Sequence, residues 1–251
     1  MRVIPLGVGD AFSSRYYSTS LLVEAPVEGG VARLLIDCPH PIRRILAESA
    51  PGVDLDSIDA VVLTHLHADH CSGLEPLGFF SHFVLGRPAR LLSHPAVNER
   101  TWERLAPGMD RLWRPEQARL EPMCFEDYFN HSPLSIDAPV SFGPFRIEAR
   151  MTRHHVPTTA LRITAGGRTL AYSADTGFDR GLIDWLEDGA HLIIHETNLG
   201  AHTHHTELET LPPHILERMR IIHYPDFYDL ERAVIQPARE GEVLIVGPTG
   251  D

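Results

Sequence analysis

Four side chains able to bind metal fall within the segment His65-Leu66-His67-Ala68-Asp69-His70, directly after the apolar run Ala60-Val61-Val62-Leu63-Thr64. A strand expected over Ala60–Thr64 would deliver them. In extended backbone alternate side chains share a face, so His65 and His67 can both point at one ion. A helix starting just beyond turns Asp69 and His70 toward a second position. Crowding imidazoles and a carboxylate beside a buried strand is costly unless a cation sits among them. The aspartate carboxylate keeps such a site suited to a hard divalent ion. A lone histidine is more often a core or surface residue satisfied by hydrogen bonds, but this density of ligands argues against that reading.

Further histidines cluster at His154-His155 and at His195, His202, His204 and His205. The chain has 16 histidines and only 3 cysteines. Cys38, Cys71 and Cys124 are too few and too scattered for a disulfide framework or a thiolate cage, so metal binding here must rely on imidazole and carboxylate.

The elements that must position these residues alternate along the chain. Short apolar runs with Gly, Pro or Asp flanks predict strands at Val3–Leu6, Ser20–Glu24, Ala32–Asp37, Ala60–Thr64, Arg90–Ser93, Phe145–Arg150, Leu161–Thr164, Thr169–Ser173, Leu192–His195, Arg220–His223 and Val243–Val246. Helices are expected at Pro41–Ala50, Pro95–Ala106, Gln117–Tyr128, Asp179–Glu187, Pro213–Met219 and Leu230–Arg239. Alternation of this kind implies a layered α/β protein. No linker divides the chain, and residues 1–251 read as one domain. A stretch at about 95–140, rich in Pro, Trp, Arg and Glu, is expected to be a helical excursion over the site. Its aromatic residues Trp102, Trp113, Phe125, Tyr128 and Phe129 can line a pocket or fill a core.

Composition bounds the partners. Hydrophobic residues at 43% and charged residues at 22% are those of a globular protein. No apolar run approaches the roughly 20 residues needed to cross a bilayer, and the N-terminus lacks a secretory signal pattern, so a cytoplasmic protein with no membrane partner is expected. The net charge of −12, with no Lys/Arg run, disfavours long nucleic acid and favours a small-molecule substrate; a homodimer is compatible.

Thr64 through His70 resembles the first metal motif of the metallo-β-lactamase superfamily. The resemblance spans nearly the whole chain, because Arg153-His154-His155-Val156-Pro157, Leu170-Ala171-Tyr172-Ser173-Ala174-Asp175-Thr176 and Arg220-Ile221-Ile222-His223 resemble its later motifs in order. The resemblance implies a four-layer αββα sandwich of two mixed β-sheets flanked by helices. It also implies two divalent metal ions, zinc first with iron or manganese as alternatives. His65, His67 and His154 would hold one ion, and Asp69, His70 and His223 the other, with Asp175 between them. Asp37 matches an aspartate that orients a ligand imidazole, although a strand-end turn role fits the sequence equally. His155 competes with His154; strand alternation and the spacing to Val156-Pro157 favour His154. Ala174 departs from the glycine usual in close relatives, which is expected to cost little while shifting the loop beside Asp175.

Within the superfamily, the His-Val-Pro and Ser-Ala-Asp-Thr segments and the pair His195-Glu196 resemble the ribonuclease Z-like, phosphodiesterase-type branch. That implies a binuclear hydrolase that activates water to cleave an ester-type bond, a phosphodiester foremost. Asp69 would be both ligand and a guide for the water's proton. His202 is the first candidate for general acid, with His204 and His205 as alternates and a solvated loop as the plain alternative. The same ligands also suit a carboxyl-ester, lactone or thioester hydrolase, or a non-hydrolytic diiron oxygen-binding or sensor protein.

Overall fold

Side-chain alternation along the central strands sorts the apolar residues onto two faces, and that sorting builds the layers. The computed structural model describes residues 1–247, so residues 248–251 of the expected domain lie outside the described residues. The first half carries β1 (Arg2–Gly7), β2 (Ser20–Val27), β3 (Gly30–Ile36), α1 (Ile42–Ser49), β4 (Ala60–Val62), α2 (Ala68–Cys71), α3 (Leu74–Phe80), β5 (Ala89–Ser93), α4 (Pro95–Asn98), α5 (Thr101–Met109), β6 (Arg111–Arg114), β7 (Arg119–Pro122) and β8 (Phe129–Pro133). The second half carries β9 (Val140–Phe142), β10 (Phe145–Met151), β11 (Thr159–Ala165), β12 (Arg168–Tyr172), α6 (Arg180–Glu187), β13 (Leu192–Glu196), α7 (His205–Leu208), α8 (Pro213–Leu216), β14 (Met219–Ile222) and β15 (Leu244–Ile245).

One sheet has the order β15-β1-β2-β3-β4-β5-β8 and the other β14-β13-β12-β11-β10-β9. Both are mixed: β3-β4-β5-β8 run parallel beside antiparallel β1-β2-β3, and β12-β13-β14 run parallel beside antiparallel β10-β11-β12. Leu34 and Ile36 of β3, Val62 of β4, and Leu170 and Tyr172 of β12 meet in the core between the sheets. Their neighbours Leu35 and Val61 face outward onto α1, α3 and α5. Ala171 and Ile193 face outward onto α6, α7 and α8. Each large apolar side chain buried this way is worth about 1.5–3 kcal/mol. The result is the expected αββα sandwich. Among the described residues no helix is long and apolar enough to cross a membrane.

The excursion at 95–140 is helical only as far as Met109. The helix expected at Gln117–Tyr128 is absent: β7 pairs with β6 as a hairpin, placing Trp113 opposite Leu120, and only a short 3₁₀ turn, Phe125–Asp127, follows. Tyr128 and Phe129 are core residues, with Trp102 and Phe125 packed against them, whereas Trp113 is exposed. Leu230–Arg239 is irregular, because Pro237 removes a donor that a helix would need. Pro213–Met219 is helical only to Leu216, since Met219 starts β14. Conversely, α3 forms despite Pro76 and Gly78. Pro76 lies in its first turn, where the missing N–H costs nothing. Gly78 is needed for close packing, since a Cβ there would meet Met109 Cε at 2.7 Å and Phe129 Cζ at 3.0 Å.

Ala174, after β12, is buried with φ 49°. Left-handed backbone costs an L-residue about 1–2 kcal/mol. Glycine removes that cost but loses a buried methyl, about 0.8 kcal/mol, and adds unfolded-chain entropy of about 0.5–1 kcal/mol. These effects nearly cancel. Ala174→Gly should therefore shift stability by less than ~1 kcal/mol, whereas β-branched Ala174→Val should lose more than ~2 kcal/mol. Denaturant midpoints compare the three proteins, and a valine variant as stable as the parent contradicts the assignment.

Candidate metal centre

The site lies at one edge of the sandwich, where parallel strands present their carboxyl ends, the usual crevice of an open α/β sheet. Asp37 follows β3, His65 follows β4, Asp175 follows β12, His223 follows β14, and Glu196 ends β13. β10 runs in the same direction as β12 and delivers His154 to the same edge. Asp37 and His223 have φ of 59° and 62°. With Ala174, these left-handed turns break the strands abruptly and aim the following or resident side chains inward.

Two ligand groups result. In the first, donor atoms of His65, His67, His154 and Asp175 all lie within 4.8 Å of one another. His67 Nδ1 is 3.1 Å from His65 Nε2 and 3.2 Å from His154 Nε2, and Asp175 Oδ2 is 3.5 Å from His65 Nε2. Burial holds all three rings below the usual histidine range, His67 at about 4 and His154 at about 3, so each is neutral and offers a lone pair at neutral pH. Without a cation such contacts are N–H···N bonds set by tautomer, and a cation between the rings would instead take a lone pair from each.

In the second, Asp69, His70 and His223 converge within the same limit. His70 Nε2 is 3.3 Å from Asp69 Oδ2 and 3.4 Å from Asp175 Oδ1, and His223 Nε2 is 3.6 Å from Asp175 Oδ2. Asp175 therefore faces both groups. His70 Nε2 and Asp175 Oδ1 are buried with no hydrogen-bond partner. Although burial opposes it, the carboxylates of Asp175 and Asp37 drive the His70 pKa well up. Burial likewise opposes the downward shifts of Asp69, held low by the nearby His70 ring, and of Asp175, held low by His223 and His70. Positive charge on the facing imidazoles, His70 and His223, is the compensation these side chains themselves offer to this concentration of negative charge. A divalent ion supplies it better, so the donor sets fit metal.

The outward ring nitrogens are also held. Asp37, fully buried, accepts from His70 Nδ1 at 2.8 Å and from Thr64 N and Oγ1 at 2.8 and 2.9 Å. With Nδ1 bonded to Asp37, His70 turns Nε2 inward, a geometry that fits an orienting carboxylate. Thr64 Oγ1 contacts His65 Nδ1 at 3.0 Å and Thr19 Oγ1 contacts His223 Nδ1 at 3.1 Å.

Of the doublet, the His154 side chain is fully buried toward Asp175, and His155 is exposed, touching His67 Nε2 from outside at 2.9 Å. His202 joins Asp175 and His223 in a third group, its ring stacked 5.5 Å from that of His223. His202 Nδ1 bonds the buried carboxylate of Glu196 at 2.9 Å, and Glu196 also accepts from Thr176 N. His204 instead caps α7, and His205 pairs with Glu209, so neither joins the three groups. His195 turns away from the site, its Nδ1 bonding its own strand's Glu196 carbonyl. Glu196, which the sequence offers only as half of the pair His195-Glu196, is a further candidate site residue. Strand alternation could have found it, since Leu192, Ile194 and Glu196 share the inner face.

The family model for Anti-Pycsar protein Apyc1 matches residues 1–239. The chain belongs to this family. An Apyc1 protein of Bacillus phage 010DV004 is 33% identical over 240 residues, covering 90% of each chain. Among solved structures, the metallo-β-lactamase fold protein YhfI from Bacillus subtilis superposes with a TM-score of 0.74 at 22% identity, covering 96% of this chain and 98% of its own. Human tRNase Z, short form, superposes with a TM-score of 0.67 at 19% identity, covering 99% and 100%. These likenesses show the metallo-β-lactamase fold.

Removing the Asp37 charge should loosen His70. Asp37→Asn is expected to weaken metal affinity about 10–100-fold, read by competition with a chromogenic chelator. Unchanged affinity would show that Asp37 does not orient a ligand.

Proposed function

We propose that the chain is a binuclear metal-dependent phosphodiesterase acting on a small phosphodiester, of the size of a cyclic mononucleotide. His65, His67 and His154 would hold one ion, Asp69, His70 and His223 the second, with Asp175 shared. Two divalent ions held by these residues, zinc foremost, would supply Lewis-acid polarisation of a phosphoryl oxygen and would lower the pKa of a water molecule to about 7. Asp69, held ionised, can accept a hydrogen bond from that water and orient it.

The observation that carries the reading is the His202–Glu196 pair. An alkoxide leaving a phosphodiester needs a proton, whereas a thiolate leaving a thioester does not. His202 stands beside His223 and 5.4 Å, ring to ring, from His154. Burial works against its protonated form, but the bond to Glu196 outweighs it and raises the His202 pKa. A raised value extends the acid form to higher pH than in a free imidazole, and the function is lost as pH rises through it. Nδ1 is committed to Glu196, leaving Nε2 to give its proton to the leaving oxygen.

Size follows from charge and space. A net charge of −12 opposes a long polyanion. Cavities of about 450 Å³ flank the centre on the His202 side and on the His67 side, the latter bordered by α4 and α5. Such volumes match small ligands. A cyclic mononucleotide, with both ester oxygens on one ribose, needs no extended channel.

Purified, zinc-loaded protein should cleave bis(p-nitrophenyl) phosphate and adenosine 3′,5′-cyclic monophosphate, and a chelator should stop both. Cleavage of carboxyl esters alone, or two irons with an oxygen-dependent visible band, contradicts the proposal. His202→Ala should lower kcat about 10²–10⁴-fold on the cyclic nucleotide but far less on the p-nitrophenyl ester, whose leaving group needs no proton. It should also leave metal content unchanged. Equal losses on both substrates would remove His202 as general acid.

A further inference from the structure

The cavity on the His202 side is walled by two phenylalanines that folding alone does not explain. Phe12 is 92% exposed and Phe227 71% exposed, and Leu199, which also lines the cavity, is 52% exposed. They sit on loops from opposite ends of the chain, and those loops are stapled together. The Asp226 carboxylate accepts from Ser14 N at 2.8 Å and Ser14 Oγ at 2.7 Å, and also from Ser13 Oγ at 2.5 Å, while Arg15 Nη1 donates to the Asp226 carbonyl at 3.2 Å. Exposed aromatic rings held in place rather than collapsed onto the core are characteristic of binding surfaces.

The polar part of the lining selects what enters. Asp10 accepts from Phe12 N and from Asn198 Nδ2 at 3.0 and 3.1 Å, and Asn198 Oδ1 accepts from Leu199 N at 2.8 Å. With the Asp10 and Asp226 carboxylates in its lining, this cavity repels a phosphate. It accepts instead a neutral, planar group. Asn198 keeps one N–H and one lone pair for the edge of such a ring. The cavity also includes His202, so it lies where the non-phosphate part of a substrate bound at the metal centre would extend.

We infer that Phe12 and Phe227 form a clamp that stacks the heterocyclic base of the substrate beside the metal centre, with Asn198 meeting its edge. The inference rests on the phosphodiesterase reading for its substrate, but its test does not depend on turnover. Adenosine 5′-monophosphate and ribose 5-phosphate differ by the base, and neither is a phosphodiester. Titration calorimetry on the metal-loaded protein should show the nucleotide binding about tenfold or more tightly than the sugar phosphate. Phe12→Ala and Phe227→Ala should each reduce that preference about fivefold, and the double variant should abolish it, with ribose 5-phosphate binding unchanged. Both rings are exposed, so the variants should fold, and circular dichroism verifies this. No preference in the parent protein, or a preference that survives the double variant, overturns the clamp. Failure to cleave bis(p-nitrophenyl) phosphate would instead strike the hydrolase reading, so the two failures are distinguishable.

Discussion

Asp37, Asp69 and Asp175 converge on the buried ring of His70, and the molecule must neutralise that charge where water cannot reach it. A carboxylate taken out of water without compensation is among the costliest features a fold can carry. Here the deficit is concentrated, because Asp175 also faces His65, His154 and His223. A single proton on His70 answers part of it, and divalent cations answer all of it. The nearby hydroxyls and carboxylates of Thr64, Thr19, Asp37 and Glu196 then act as braces, each holding the far nitrogen of a ring whose near nitrogen faces the centre or the substrate.

That concentration of ligands determines what the backbone must do. A strand places alternate residues on a face, yet these ligands are needed at strand ends, clustered across two sheets. Left-handed residues at Asp37, Ala174 and His223 solve the problem by turning the chain within one residue. The strain is sustained by the packed layers behind it, Leu34, Ile36, Val62, Leu170 and Tyr172 between the sheets and the helices outside. Stability and site are thus coupled. The core tolerates the turns, and metal bound at these ligands would return stability to the folded state by mass action.

Much of this was legible in the sequence because it is local. His65 and His67 announce themselves by spacing, and the central strands by apolar runs with period-2 faces. The layered architecture followed from their alternation with helices. What resisted reading depends on distant partners. Whether Asp37 is a turn residue or an orienting carboxylate is decided by His70, which lies far along the chain. His154 is separated from His155 only by which ring faces Asp175. Glu196 was overshadowed by its neighbour His195, although its place on the inner face of β13 was available from alternation. In the 95–140 segment the Arg-Glu-Leu pattern suits a helix by propensity, but pairing of Trp113 with Leu120 overrides it. In α3, the small residue at Gly78 is explained only by Met109 and Phe129 packed against it.

The central claim is that two ions share Asp175. Metal content of protein purified and dialysed with zinc, measured by mass spectrometry on the parent and on His67→Ala and His223→Ala, addresses it directly. Two ions per chain in the parent, with one retained in each variant, is the result the account predicts. One ion or none in the parent, or two retained in both variants, would contradict it.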